Sequence, residues 1–220
     1  MINSSLVTTS RFPLQPSTDK ELWLVFDIET NGLFDDVTDT FCIVCHDLVN
    51  NQTHKFKPDQ VNQALKLLAK ADVLIGHNIL FYDLPVLNKL YKITFSARII
   101  DTLVCTRLIW PKEVLYDLDD ELYQQVPIAL KGSASLKAWG YRLSNHKIDF
   151  KDFSEYSQEM LDYCVQDVMV TCNLLKYIIK QNYSQPALKL EHEFAIFIQK
   201  QIREGIPFDI DAALDLVDVL

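Results

Sequence analysis

The sequence predicts an α/β fold, a mixed five-stranded sheet flanked by helices. Two observations predict it. Apolar runs of strand length alternate along the chain with segments of helical period, the pattern of strands packed under helices. The first three strand-length runs also follow one another so closely that they form an antiparallel meander, whereas the later ones come after helical segments long enough to return the chain in parallel.

The first strand covers about Leu22 to Asp27 (LWLVFD), the second Phe41 to Asp47 and the third Thr53 to Phe56. A helix starts after Pro58 and runs to about Ala71, with Val61, Leu65 and Leu68 on one face, and leads into a strand at Asp72 to Gly76. Asp83 is placed to cap a helix reaching Tyr91, because Pro85 is tolerated in a first turn. Arg98 to Ile100 forms the last strand, followed by a short helix to about Trp110. From Ser157 the sequence keeps helical period to about Gln181. Three antiparallel strands extended by two parallel ones, with helices over the sheet, is the ribonuclease H-like arrangement.

The composition fits this reading. Of 220 residues, 49% are hydrophobic and 23% charged, and 21 Lys+Arg against 30 Asp+Glu leave a formal net charge of −9. A chain of this length buries a core without disulfides or structural metal. No apolar stretch approaches the roughly 20 residues of a membrane span, so no membrane partner is expected. Residues 1–20 read as a flexible arm, rich in Ser and Thr, with Pro13 and Pro16 but no apolar segment of a secretory signal. Five cysteines, an odd number, point to reduced thiols and a cytoplasmic location. Cys42 and Cys45 form a C-x-x-C, yet on a strand residues three apart face opposite ways, which favours buried thiols over a zinc site.

The chemistry-bearing residues are carboxylates. Asp27 and Glu29 stand two apart where the first strand runs out into Thr30-Asn31-Gly32, so both project from one face, about 6–7 Å apart at Cα. Alone, such a pair is far more often a pair of solvated turn acids than a metal site. Asp83 follows a later strand and reads as a helix cap or as a functional acid at a strand end. Tyr163 and Asp167 lie i, i+4 on the late helix and share a face. His77, in a strand-to-helix turn, reads as a structural hydrogen bonder. Between Leu122 and Ile148 there is no acid, while Lys131, Lys137, Arg142 and Lys147 interleave with Tyr123, Trp139 and Tyr141. That stretch is a candidate phosphate-contact surface. Before it, Glu113, Asp117, Asp119, Asp120 and Glu121 read as an acidic loop.

The order Asp-x-Glu, Asn-x3-Tyr-Asp, Tyr-x3-Asp resembles the DEDDy (DnaQ-like) 3′→5′ exonucleases. Longer strings, IDTLVCTRLIW (100–110), SLKAWGYRL (135–143), MLDYCVQDVMVT (160–171) and EHEFAIFIQKQIREGIPFD (191–209), resemble the proofreading domain of family A DNA polymerases from short-tailed bacteriophages. The resemblance implies an exonuclease domain over residues 21–183 and, over 184–220, a helical segment like the start of a polymerase thumb. It implies two divalent cations, Mg²⁺ or Mn²⁺, held by Asp27, Glu29, Asp83 and Asp167, with Tyr163 hydrogen-bonded to the attacking water. Thr30, Leu33, Asn78 and Tyr82 would contact the terminal nucleotides of a single-stranded DNA 3′ end, and Lys137 and Arg142 its phosphates. The polymerase would be a further part of the chain or a separate one. Where the family often reads Ser-His-x-Leu, this chain has Ser133-Ala134-Ser135-Leu136, which removes a substrate contact and no metal ligand. Two other expectations stand beside this one: RNA 3′-end trimming of the ribonuclease D type, and a catalytically silent module docked on a polymerase.

Overall fold

A computed structural model describes residues 12–145, 150 and 152–219. Five strands, β1 (Trp23–Thr30), β2 (Thr40–Asp47), β3 (Gln52–Phe56), β4 (Val73–Gly76) and β5 (Arg98–Asp101), form one sheet in the order β3-β2-β1-β4-β5. β1, β2 and β3 pair antiparallel, and β4 and β5 add in parallel, as the spacings predict. The helices among the described residues are α1 (Val61–Leu68), α2 (Asp83–Tyr91), α3 (Thr102–Ile109), α4 (Lys112–Glu121), α5 (Leu136–Arg142), α6 (Gln158–Lys180), α7 (Gln185–Glu204) and α8 (Ile210–Val219).

The alternation along β1 decides where its acids point. Leu24, Phe26 and Ile28 enter one core with Val61, Leu65 and Leu68 of α1 and Val86 and Leu87 of α2. Trp23 and Val25 enter the other, with Leu161, Cys164, Val168 and Leu175 of α6. Asp27 and Glu29 continue the second set, so β1 aims them at α6. Cys42 and Cys45 fall in opposite cores, and all five cysteines are free and buried.

Several elements depart from expectation. α1 is shorter than predicted: Pro58 opens a 3-10 turn (Pro58–Gln60) before it, and Lys70 and Ala71 end it with amide bonds to the carbonyls of Leu67 and Leu68. The acidic segment is no loop but helix α4, which starts after Pro111 and turns Leu115 and Asp119 inward. The arm expected to be flexible over 1–20 packs from Phe12 onward. Phe12 and Leu14 are buried, the Phe12 ring lies 4.7 Å from that of His192, and Arg98 donates to the Pro13 carbonyl at 3.2 Å; residues 1–11 lie outside the described ones. Leu188, His192 and Ala195 of α7 are buried, and α7 packs against α3 and β5. Among the described residues no helix is long and apolar enough to cross a membrane.

Candidate metal-dependent active site

Past Val25, β1 loses its neighbour β4, and its outward amides need other acceptors. Asp83 supplies one: its Oδ1 accepts from the Ile28 amide at 3.2 Å. This corrects the capping expectation. Asp83 is the first residue of α2, whose N-cap is Tyr82 with no side-chain cap bond, and its carboxylate is turned to β1 instead. It is buried, and burial together with the Asp27 charge holds its carboxyl well above the usual range.

α6 approaches from the other side. Its Cys164 Sγ sits 3.5 Å from both the carbonyl and Oδ2 of Asp27, and burial pushes the thiol up, so a protonated Sγ–H donates to the carboxylate. The donor atoms of Asp27, Glu29 and Cys164 lie within 4.8 Å of one another. Asp167, buried, stands three residues along α6 and so on the same side of the helix. Tyr163 is half-buried one turn before it, against the rings of Phe150 (5.7 Å) and Phe153 (6.1 Å). Nothing in the sequence reading singles out Cys164 among the five cysteines; its i−3 spacing from Asp167 is the available signal.

The donor set fits a divalent cation. Hard cations take carboxylate oxygens, and burial, with the Asp27 charge second, raises Asp83's carboxyl, a direction that a bound cation would oppose.

Beyond the end of β1 a cavity of about 370 Å³ is lined by Glu29, Thr30, Leu33, Tyr82 and Phe153. Thr30 Oγ1 and Tyr82 OH hydrogen-bond each other and lie 3.1 and 2.6 Å from the Gly32 carbonyl; with one proton each, Tyr82 donates to the carbonyl and Thr30 donates to the Tyr82 oxygen. This triangle fixes the loop that carries Leu33, which is 77% exposed. Three of the four residues expected at a terminal nucleotide thus share one cavity. Asn78 lines another, at the ends of β4 and β5. His77 Nδ1 is 2.9 Å from Thr102 Oγ1, a hydrogen bond within the fold.

The predicted phosphate surface does not form as expected. Arg142 is fully buried and bonds Asp119 through Nε and Nη2, each at 2.7 Å, with Nη1 on the Ser133 carbonyl at 2.7 Å, so it is unavailable to a ligand. Trp139 is buried, and Lys131 pairs with Asp120. Lys137 is exposed on α5; Lys147 lies outside the described residues.

The RNase_H superfamily model matches residues 24–179. The DNA-directed DNA polymerases of Enterobacteria phage T3 and Escherichia phage T7 are each 31% identical over 243 residues, an alignment covering 88% of this chain and 34% of the relative. The chain therefore spans about a third of the length of these curated relatives. Among solved structures, Brucella melitensis NrnC superposes with a TM-score of 0.56 at 16% identity, covering 86% of this chain and 88% of that one. Brucella melitensis NrnC with bound Mg²⁺ gives 0.54 at 16%, covering 88% and 92%. Identities this low speak to the fold alone.

Proposed function

From the premise that this chain belongs to the RNase_H superfamily, we propose that it is a metal-dependent 3′→5′ exonuclease, the proofreading module of a family A DNA polymerase, that removes terminal nucleotides from single-stranded or frayed DNA. The observation that carries the proposal is the convergence of Asp27 and Glu29 with the Cys164 face of α6 at the end of β1, beside Asp83 and a nucleotide-sized cavity.

In this reading Asp27, Glu29, Asp83 and Asp167 hold two divalent cations, Mg²⁺ or Mn²⁺. When bound, such cations acidify the attacking water and offset charge on the reacting phosphoryl group and the leaving 3′-oxygen. The Tyr163 hydroxyl orients the water by a hydrogen bond. The Thr30–Tyr82–Gly32 triangle holds open the cavity for the terminal nucleotide, and Leu33 packs on its base, a contact indifferent to base identity. Cys164 fixes the Asp27 carboxylate through its S–H. The polymerase partner is supported by the identity to the two phage polymerases. It is also supported by large apolar side chains left open near the C-terminal end, among them Ile206, Phe208, Ile210 and Val217, a surface of the kind that marks a docking site.

The test is mononucleotide release from 3′-labelled single-stranded DNA with Mg²⁺ or Mn²⁺, set against the same sequence as RNA. Stepwise shortening of DNA is expected, abolished by EDTA and reduced about 10³-fold, roughly 4 kcal/mol of transition-state stabilisation, by Asp27→Ala with Glu29→Ala. Faster shortening of the RNA would move the assignment to RNA trimming, and no cleavage by folded, metal-loaded protein would leave a docking module.

A further inference from the structure

Leu33 reaches its cavity from a loop that the sheet does not hold. β1 ends at Thr30 and β2 begins at Thr40. Between them the Leu33 carbonyl accepts from the amides of Asp36 (3.0 Å) and Val37 (2.8 Å), and Val37 is buried, so the returning side of the turn is anchored. At the tip, Leu33 and Asp35 are exposed and Phe34 between them is half-buried.

Two cations from different helices meet this tip. Lys89 of α2 donates from Nζ to the carbonyls of Phe34 (2.7 Å) and Asp35 (2.8 Å), 5.3 Å from the centre of the Phe34 ring. Arg203 of α7 places its guanidinium carbon 3.9 Å from the centre of the same ring, and the Asp35 charge acts on it. At that distance a planar guanidinium stacks on an aromatic face, which a point-like ammonium does less well.

Arg203 stands in the last turn of α7, and the helix is fixed further back. Leu188, His192 and Ala195 are buried, and His192 Nε2 accepts from the Asp101 amide at 2.8 Å. At about 1.5 Å per residue, Arg203 lies about 16 Å along the helix from His192. α7 therefore runs from the end of β5 to the loop after β1, and delivers a cation to the residue beside Leu33.

We infer that Arg203 is a positioning residue for the exonuclease: stacked on Phe34, it holds the loop so that Leu33 projects over the terminal base. The inference rests on the exonuclease reading and deepens it, by naming a side chain outside the site that sets the site's geometry. A loop released from α7 spends part of its time elsewhere, and the apparent affinity for the strand falls by that fraction. The carboxylates are carried by β1, α2 and α6, so the chemical step is not touched.

The experiment is steady-state kinetics of the 220-residue chain on 3′-labelled single-stranded DNA, for wild type, Arg203→Ala, Arg203→Lys, Leu33→Ala and the double variant Arg203→Ala with Leu33→Ala. Hydrogen exchange of the peptide spanning 31–39 is followed in EDTA for wild type and Arg203→Ala. Arg203 is exposed, so the fold should survive its replacement. Arg203→Ala is expected to raise KM about three- to fivefold, the loss of one exposed cation–π contact, with kcat kept and the 31–39 peptide exchanging faster. Arg203→Lys should recover part of the loss. In the Leu33→Ala background the same change should raise KM no further, a coupling that a loss of general stability would not produce. An equal rise in both backgrounds would mean that Arg203 acts elsewhere, and would overturn the proposal. Unchanged KM or unchanged exchange in Arg203→Ala, with wild type cleaving, would overturn it and leave the exonuclease reading standing. A folded, metal-loaded wild type that does not cleave would remove both.

Discussion

Two buried carboxylates, Asp83 and Asp119, are handled in opposite ways. Asp119 receives the Arg142 guanidinium and the Gly132 amide (2.9 Å), and neither partner's side chain touches solvent. Asp83 receives the Ile28 amide, and burial, with the facing acid Asp27 second, raises its carboxyl. Asp101, also fully buried, lies between these extremes, with backbone amides of Asn78, Leu80 and Leu103 at 2.9–3.0 Å. Where the chain brings its own cation, a buried acid holds elements together; where it gathers acids instead, burial and like charge raise the carboxyl.

The sharpest way to break this comparison is to remove each acid. Asp119→Ala strands a buried guanidinium and should lower stability by about 3–5 kcal/mol, read as a shifted denaturant midpoint. Asp83 is expected to behave in the reverse sense, below.

The same pair shows what could be read from the chain. The antiparallel meander, both parallel additions and the facing of Asp27 and Glu29 followed from period and spacing, because those are local properties. The gathering at Asp27, Asp83 and α6 was legible only as an ordered set of motifs. Pairings between distant segments were not legible. Arg142 and Asp119, 23 residues apart, looked like a phosphate contact and a loop acid, since neither burial nor partner is written in the local sequence. Phe12 failed for a related reason: Ser, Thr and Pro around it suggest an arm, while its contact, His192, lies on α7.

Supplying the external cation should sharpen the comparison next. Mn²⁺ or Mg²⁺ at about 100 times its dissociation constant should stabilise wild type by about 2.7 kcal/mol. For a domain of this size that is a rise of roughly 5–10 °C in Tm. Asp119→Ala should keep that gain, and Asp27→Ala with Glu29→Ala should lose it; equal shifts in all three by differential scanning fluorimetry would dissolve the distinction between the acids.

A smaller effect is expected from Asp83→Asn in EDTA, which keeps an acceptor for the Ile28 amide and removes the charge. Because Asp83's folded-state carboxyl is raised, its proton-linked stability is full below the unfolded value of about 3.9 and is lost as pH rises through the folded value. The metal-free variant should therefore equal or exceed wild type at neutral pH, by roughly 1 kcal/mol, with the gap closing toward pH 4. Urea titrations at two pH values measure it, and a variant weaker than wild type at pH 7 would contradict the electrostatic account.

The smallest effect concerns the far side of Asp101, where α7 meets β5. His192 Nε2 accepts from the Asp101 amide at 2.8 Å, and Nδ1 is 2.7 Å from the Leu188 carbonyl. A neutral ring with its proton on Nδ1 satisfies both; a protonated ring would point N–H at N–H. Burial lowers the imidazole despite the Asp101 and Glu191 charges, which favour its protonation. A depressed folded value means that the unfolded chain takes the proton first, so stability falls as pH drops below about 6.5. One such group gives at most about 0.7 kcal/mol between pH 7 and 6, and His192→Gln should flatten that part of the profile by the same amount. An unchanged slope in the variant would mean that the ring titrates alike in both states and that α7 is held at β5 by Leu188 and Ala195 alone.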